Sequence, residues 1–227
     1  SNIRYKKKND EEKGDVIFNE MITSEDSGRT LQLLAEHIQE SQASFLDFVN
    51  RTYQQITDGF IAEDLGKLQK AENEMRKERM ELKQARRKEM LGLRRIDPDV
   101  AIEKNTWFHL GRNCCEDILY SLRRICDPCE EHIDNSFVPL DKERIKEFLP
   151  LRDTMLYLLK RTGAVIASGD FSEADKVREQ CEDFKLCLSR TRNEQMERMQ
   201  SSRDNITVSY VYLNILQETH EMVSSLR

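Results

Sequence analysis

The sequence predicts an all-α protein: six long antiparallel helices forming two tandem three-helix bundles. Three observations carry this. Charged residues make up 34% of the 227 positions, while glycine (8) and proline (4) are scarce; that balance suits long helices with wet outer faces. Apolar residues recur at three- and four-residue steps through most of the chain, the period of an amphipathic helix. Finally, Asp117-Ile-Leu-Tyr-Ser-Leu-Arg123 is echoed by Glu221-Met-Val-Ser-Ser-Leu-Arg227, with three identical positions, which predicts one unit of about a hundred residues built twice. The expected boundaries are a tail over 1–27, a first unit over 28–135 and a second over 136–227.

Each element has its own signal. Residues 1–27 hold a basic run, Arg4, Lys6, Lys7 and Lys8, then Asp10, Glu11 and Glu12; a flexible tail is expected, although Val16, Ile17, Phe18, Met21 and Ile22 are available for docking. The first helix, 28–61, carries Leu31, Leu34, Ile38, Phe45, Phe48, Val49, Thr52, Ile56 and Phe60 on one face. The second, 64–94, has a thin stripe of Leu65, Leu68, Ala71, Met75 and Leu82. Its basic cluster, Lys83 to Lys88, reads as a solvated face because Glu78, Glu81 and Glu89 interleave with it. Asp97-Pro98 starts the third helix, since Asp caps free amides and Pro tolerates the first turn. Trp107, Leu110, Cys114, Ile118, Ser121, Leu122 and Ile125 form its inner face. Pro128 is expected to kink or end it.

Asn135 to Leu140 reads as the connection between the copies. The fourth helix follows Asp141, with Pro150 breaking off a short first turn and Phe148, Leu151, Met155, Leu158, Leu159, Thr162 and Ile166 inside. Ser168-Gly169-Asp170 is a stop followed by a cap. Phe171, Ala174, Val177, Cys181, Phe184 and Leu188 trace the fifth helix. Val208, Val211, Tyr212, Ile215, Thr219 and Met222 trace the sixth, widened by Tyr210, Leu213, Leu216 and Val223. The second helices of the two copies align loosely as well: Asp64-Leu65 with Asp170-Phe171, Met75 with Cys181 and Leu82 with Leu188.

The totals restrict function. A net charge of −6 argues against a general nucleic-acid binder. No run approaches the ~18 apolar residues that span a bilayer. The six cysteines lie within helical patterns and read as reduced thiols, not a disulfide framework. No nucleophile motif, phosphate loop or HExxH occurs, so a non-enzyme is expected. Cys126-Asp-Pro-Cys129-Glu-Glu-His132 has ligand-like spacing, but no fourth ligand is placed by His109 or another cysteine; buried thiols are the expectation. Asp127, Glu130, Glu131 and Asp134 crowd one helix end. Glu130 and Asp134, one turn apart, could share a cation with His132, though a solvated acidic end is expected. His220 and Glu116 are expected to form a core polar pair across the repeat.

Three segments together resemble the PhoU family, and more closely the PhoU-like cytoplasmic region of bacterial sodium/phosphate cotransporters. They are Ser121-Leu-Arg-Arg-Ile-Cys-Asp-Pro-Cys-Glu-Glu-His-Ile-Asp-Asn135 followed by Phe137 to Leu140, then Gly169-Asp-Phe-Ser-Glu-Ala-Asp-Lys-Val177, and Tyr210-Val-Tyr-Leu-Asn-Ile-Leu-Gln-Glu218. The resemblance spans roughly residues 28–227 and rests on order and spacing. It implies a non-catalytic regulatory domain at the cytoplasmic face of the bacterial inner membrane. Its partner would be a transmembrane transport domain of the same polypeptide, with a homo-oligomer as a further arrangement. Ser1 in place of Met, with the basic Arg4–Lys8 run, fits a piece that follows a membrane segment. A free-standing PhoU-type regulator and a metal-binding bundle are the alternatives.

PhoU relatives carry a Leu-Glu-Arg-Ile-x-Asp metal pattern in the third helix of each unit. Here Leu122-Arg-Arg-Ile-Cys-Asp127 has Arg123 in place of Glu, and Cys115-Glu-Asp-Ile-Leu-Tyr120 has Tyr120 in place of Asp. The second copy reads Thr219-His-Glu-Met-Val-Ser224 in the latter register. An Arg in the cluster repels a cation. The residues left for a divalent metal are Glu116, Asp127, Glu130, His132, Asp134 and His220, and the expectation shifts from metal chemistry to protein contact.

Overall fold

The computed structural model describes residues 27–201 and 205–226, with side chains from residue 28 onward except those of 103–110. The expectations for the tail, including Arg4, Lys6, Lys7 and Lys8, and for Trp107, His109, Leu110 and Arg227 lie outside the described residues. The fold is an all-α helical bundle. Among the described residues there are six α-helices, one 3-10 turn and no strand. The helices are α1 (Ser27–Ile61), α2 (Leu65–Leu93), α3 (Pro98–Asp134), α4 (Lys142–Ser168), α5 (Ala174–Ser201) and α6 (Ile206–Ser224). The 3-10 turn, Phe171–Glu173, leads into α5.

Local chemistry sets the ends. Asp64, Asp97, Asp141 and Asn205 each accept a hydrogen bond from an amide of the helix they precede, satisfying donors that the first turn leaves free. Asp170 does the same for the 3-10 turn. Gly169 closes α4 in the left-handed region, at φ 69°, where a Cβ is costly.

Neither proline ends a helix: the end expected at Pro128 and the break expected at Pro150 do not occur. α3 runs on through Pro128 to Asp134, and α4 runs from Lys142 through Pro150. A proline inside a helix leaves the carbonyl four residues back without its amide. For Pro128 that carbonyl belongs to Arg124, and Asn214 of α6 donates its Nδ2 to it at 2.7 Å. A tertiary contact thus replaces the missing helical bond. Pro150 lies on an exposed position between the buried Phe148 and Leu151, so water can reach the freed carbonyl while packing holds both sides of the ring in one helix.

Packing runs across the two halves of the chain. α1 packs against α2, α3 and α4; α6 packs against α5 and α3; α2 meets α3, and α4 meets α5. The α1–α4 pair is antiparallel: Gln39 donates to the Ile166 carbonyl (2.6 Å), Asn50 to the Leu156 carbonyl (2.7 Å), and Asp58 pairs with Arg152. First helix therefore meets first helix, and third meets third. One hydrophobic core collects residues from all six helices, Phe45 to Val223. At its centre Tyr53 and Thr219 hydroxyls stand 2.9 Å apart. Thr219 gives its proton to the Ile215 carbonyl (2.6 Å), so Tyr53 donates to Thr219. A smaller core of Leu33, Leu34, Leu93 and Ile96 fills the end where α1 begins and α2 finishes.

The repeated heptapeptides lie on α3 and α6. Ile118, Leu119 and Leu122 of the first, and Met222, Val223 and Leu226 of the second, all join the main core. Two residues expected inside are outside: Phe171 is 62% exposed, because the 3-10 turn aims it to solvent, and Tyr210 is 59% exposed, on the outer side of α6.

Candidate functional site

The acidic end of α3 divides between two sides of the helix. His132 is buried and points inward. Its ring lies edge-on to Phe60 (5.8 Å between centroids) and tilted to Phe137 (5.4 Å), and Nε2 donates to the Val138 carbonyl at 2.7 Å. It pins the α3–α4 connection to the core, so it does not join Glu130 and Asp134 around a shared cation. Glu130 instead meets Glu72 of α2, with Asp127 and Asp134 close by. Desolvation, followed by the hydrogen bond and charge of Glu72, pushes the Glu130 carboxyl up to about 7. Among the described residues no group of three His, Cys, Asp or Glu is placed to hold a metal ion.

Glu116 and His220 are not paired with each other. Glu116 is exposed and faces Arg86 of α2 at 3.9 Å. His220 is half-buried, with Glu221 Oε1 4.0 Å from Nδ1; burial, then Lys185 and Arg192 of α5, lowers its pKa. The two residues occupy related positions on α3 and α6, but each turns toward the second helix of its own unit.

All six cysteines are free. Cys126 and Cys129 are fully buried, and Cys126 Sγ lies 3.6 Å from the Leu68 carbonyl. Burial pushes the Cys126 thiol up to about 12 and Cys129 well above its usual range. They are inert core thiols at neutral pH.

Three clusters emerge that spacing alone does not announce. The first is a crevice between α1, α2 and α3, lined by Gln42, Arg86, Glu89, Gly111, Arg112 and Cys115, among others. Glu89 is 5% exposed, and its Oε2 sits 3.6 Å from Arg112 Nε. Burial pushes the Glu89 carboxyl up to about 7, against the pull of Arg112 and Arg86. Glu78 and Glu89 both face inward, so they do not interleave with the basic cluster on the surface of α2. The inner stripe Leu68, Ala71, Met75, Glu78, Leu82, Ala85 and Glu89 advances by three and four residues throughout, and this regularity was the available signal.

The second is a latch between the halves. The buried Glu218 of α6 takes Arg124 Nε at 3.2 Å, next to the Asn214 bond to the Arg124 carbonyl. Arg124 also lies over the Tyr120 ring, 5.5 Å from its centroid. The third knits α4, α5 and α6: Glu147 accepts from Tyr212 OH (2.7 Å) and from Arg198 through both oxygens (3.0 and 3.1 Å). Although burial works the other way, the hydrogen bonds from Arg198 and Tyr212 leave the Glu147 carboxyl below its usual value. These arrangements hold helix faces in register and store titratable groups.

No protein-family model matches the chain, and no curated protein matches it. No helix among the described residues is long and apolar enough to cross a membrane.

Proposed function

We propose that this chain is a non-catalytic regulatory domain of a sodium-dependent phosphate transporter, resembling the PhoU-like cytoplasmic region of such proteins. The observation that carries the reading is the order and spacing of three segments on a duplicated six-helix plan. Ser121–Asn135 spans the C-terminal part of α3, Gly169–Val177 the junction into α5, and Tyr210–Glu218 the body of α6. Two of these segments supply the latch: Arg124 comes from the first, and Asn214 and Glu218 from the third. A rigid bundle of this kind acts through its outer helix faces. Docking against the transport domain, or against a second copy, biases one transporter conformation by the difference in contact free energy between the two.

The test is made in the full-length protein that carries this sequence. Residues 28–227 are deleted, and sodium-dependent phosphate uptake is followed as external phosphate is raised. Uptake should persist while its response to external phosphate changes. If both uptake and response are unaltered, the regulatory reading is lost.

A further inference from the structure

The outer face of α2 separates charge in a way its composition hides. Arg76, Met80, Lys83, Arg87, Leu91 and Arg94 advance by steps of three or four residues, so they follow one line along the helix and its cap. Lys77, Gln84, Met90 and Arg95 flank that line. All ten are exposed. Glu78 and Glu89 of the same stretch are buried on the opposite face, and Glu81 lies half-buried at the edge. Arg76 pairs with Glu72 one turn earlier, and Asp97 and Asp99 lie beyond Arg95 at the start of α3. Between these limits the stripe carries five further cations and no carboxylate, in a chain of net charge −6.

Apolar side chains stand among the cations. Met80 is 65% exposed, and Met90 and Leu91 more than 40%. The stripe is about 28 Å long at ~1.5 Å per residue. A surface that offers both negative charge and an apolar layer just beneath it matches both components. A bilayer with anionic headgroups does this. A phosphodiester backbone offers the charge without a counterpart for methionine and leucine.

We propose that the outer face of α2, from Arg76 to Arg95, docks on an anionic lipid bilayer. The cations meet headgroup phosphates, and Met80, Met90 and Leu91 enter the interfacial layer. This stands on the geometry of α2 and not on the transporter reading.

The experiment is flotation of the whole 227-residue chain with vesicles of phosphatidylcholine alone, or of equal parts phosphatidylcholine and phosphatidylglycerol. Binding is expected to the anionic vesicles only and to weaken with salt. The triple variant Lys83→Glu, Arg87→Glu and Arg94→Glu should lose at least ~100-fold in partition, since each lost cation costs about fivefold near such a surface and each added carboxylate is repelled. The variant Met80→Ser with Leu91→Ser should lose several-fold at unchanged charge. All substituted positions are exposed, and circular dichroism checks that the helices persist. Reversal of Arg178, an exposed cation of α5, should leave partition unchanged. The proposal is overturned if the chain ignores anionic vesicles, or if the triple variant floats as well as the parent, which would assign binding to another part of the chain. It is also overturned if duplex DNA competes the chain off the vesicles and binds the Met80/Leu91 variant undiminished.

Discussion

Glu89 shows how burial converts one side chain into a pH dependence. Its carboxyl is pushed from 4.5 up to about 7 in the folded protein, so the folded state holds this proton more tightly than the unfolded chain. Its contribution is most favourable below pH 4.5 and declines as pH rises through 7. The nearby buried His37 has the opposite sign: burial and Lys88 lower its pKa below 6.5, so protonation opposes folding as pH falls. Glu89→Gln should therefore stabilise the protein at pH 8 by on the order of 2 kcal/mol and change little at pH 4.5. Urea melts at the two pH values check this; equal shifts at both would reject the assignment. Asn214 gives a second test. Asn214→Ala should cost about 1 kcal/mol by stripping the Arg124 carbonyl. In a Pro128→Ala background that carbonyl regains its helical amide, and the same substitution should cost much less. A double-mutant cycle with no coupling would show that the Asn214 bond does not compensate for the proline.

The elements themselves were readable, because periodicity and caps are local. The helix spans follow from three- and four-residue steps, and Asp64, Asp97 and Asp141 announce the starts of α2, α3 and α4. That Pro128 and Pro150 sit inside continuous helices is not legible locally, because a local rule counts the lost hydrogen bond but not what replaces it, which for Pro128 is Asn214 of another helix. Backbone sign gives a paired prediction at this scale. Gly169 sits at φ 69°, and an added Cβ would lie 2.8 Å from Gln39 Nε2, which itself donates to Ile166. Gly169→Ala should cost ~1–2 kcal/mol. Glu63 sits in the same region, at φ 56° in the turn between α1 and α2; Glu63→Gly should gain ~0.5 kcal/mol, the relief exceeding the added unfolded-state entropy. Thermal melts of the two variants should move in opposite directions.

At the scale of the molecule, residues 28–135 and 136–227 each supply three helices, but the core joins them. Leu46 and Asn50 of α1 rest on α4, and Arg124 of α3 is held by α6. The chain should therefore unfold in one cooperative step, with calorimetric and van't Hoff enthalpies in agreement. Residues 28–135 produced alone should bind a hydrophobic dye and lack a sharp melt, since the face of α1 that covers α4 would be bare. A fragment that melts sharply as a monomer would show two independent units.

The sequence by itself determined six amphipathic helices and caps such as Asp97 and Asp170, because these depend on the order of residues within a few turns. Of the candidate site it marked Glu130 but not its partner Glu72, and it listed the acids of α2 without their direction. Only the tertiary structure decided that His132 serves the core, that Glu116 and His220 part company, and that Glu78 and Glu89 turn inward to leave a basic outer stripe. Such choices depend on which helix lies opposite. That depends on contacts between residues a hundred positions apart, where the cost of desolvating a charge is set by neighbours and not by sequence spacing.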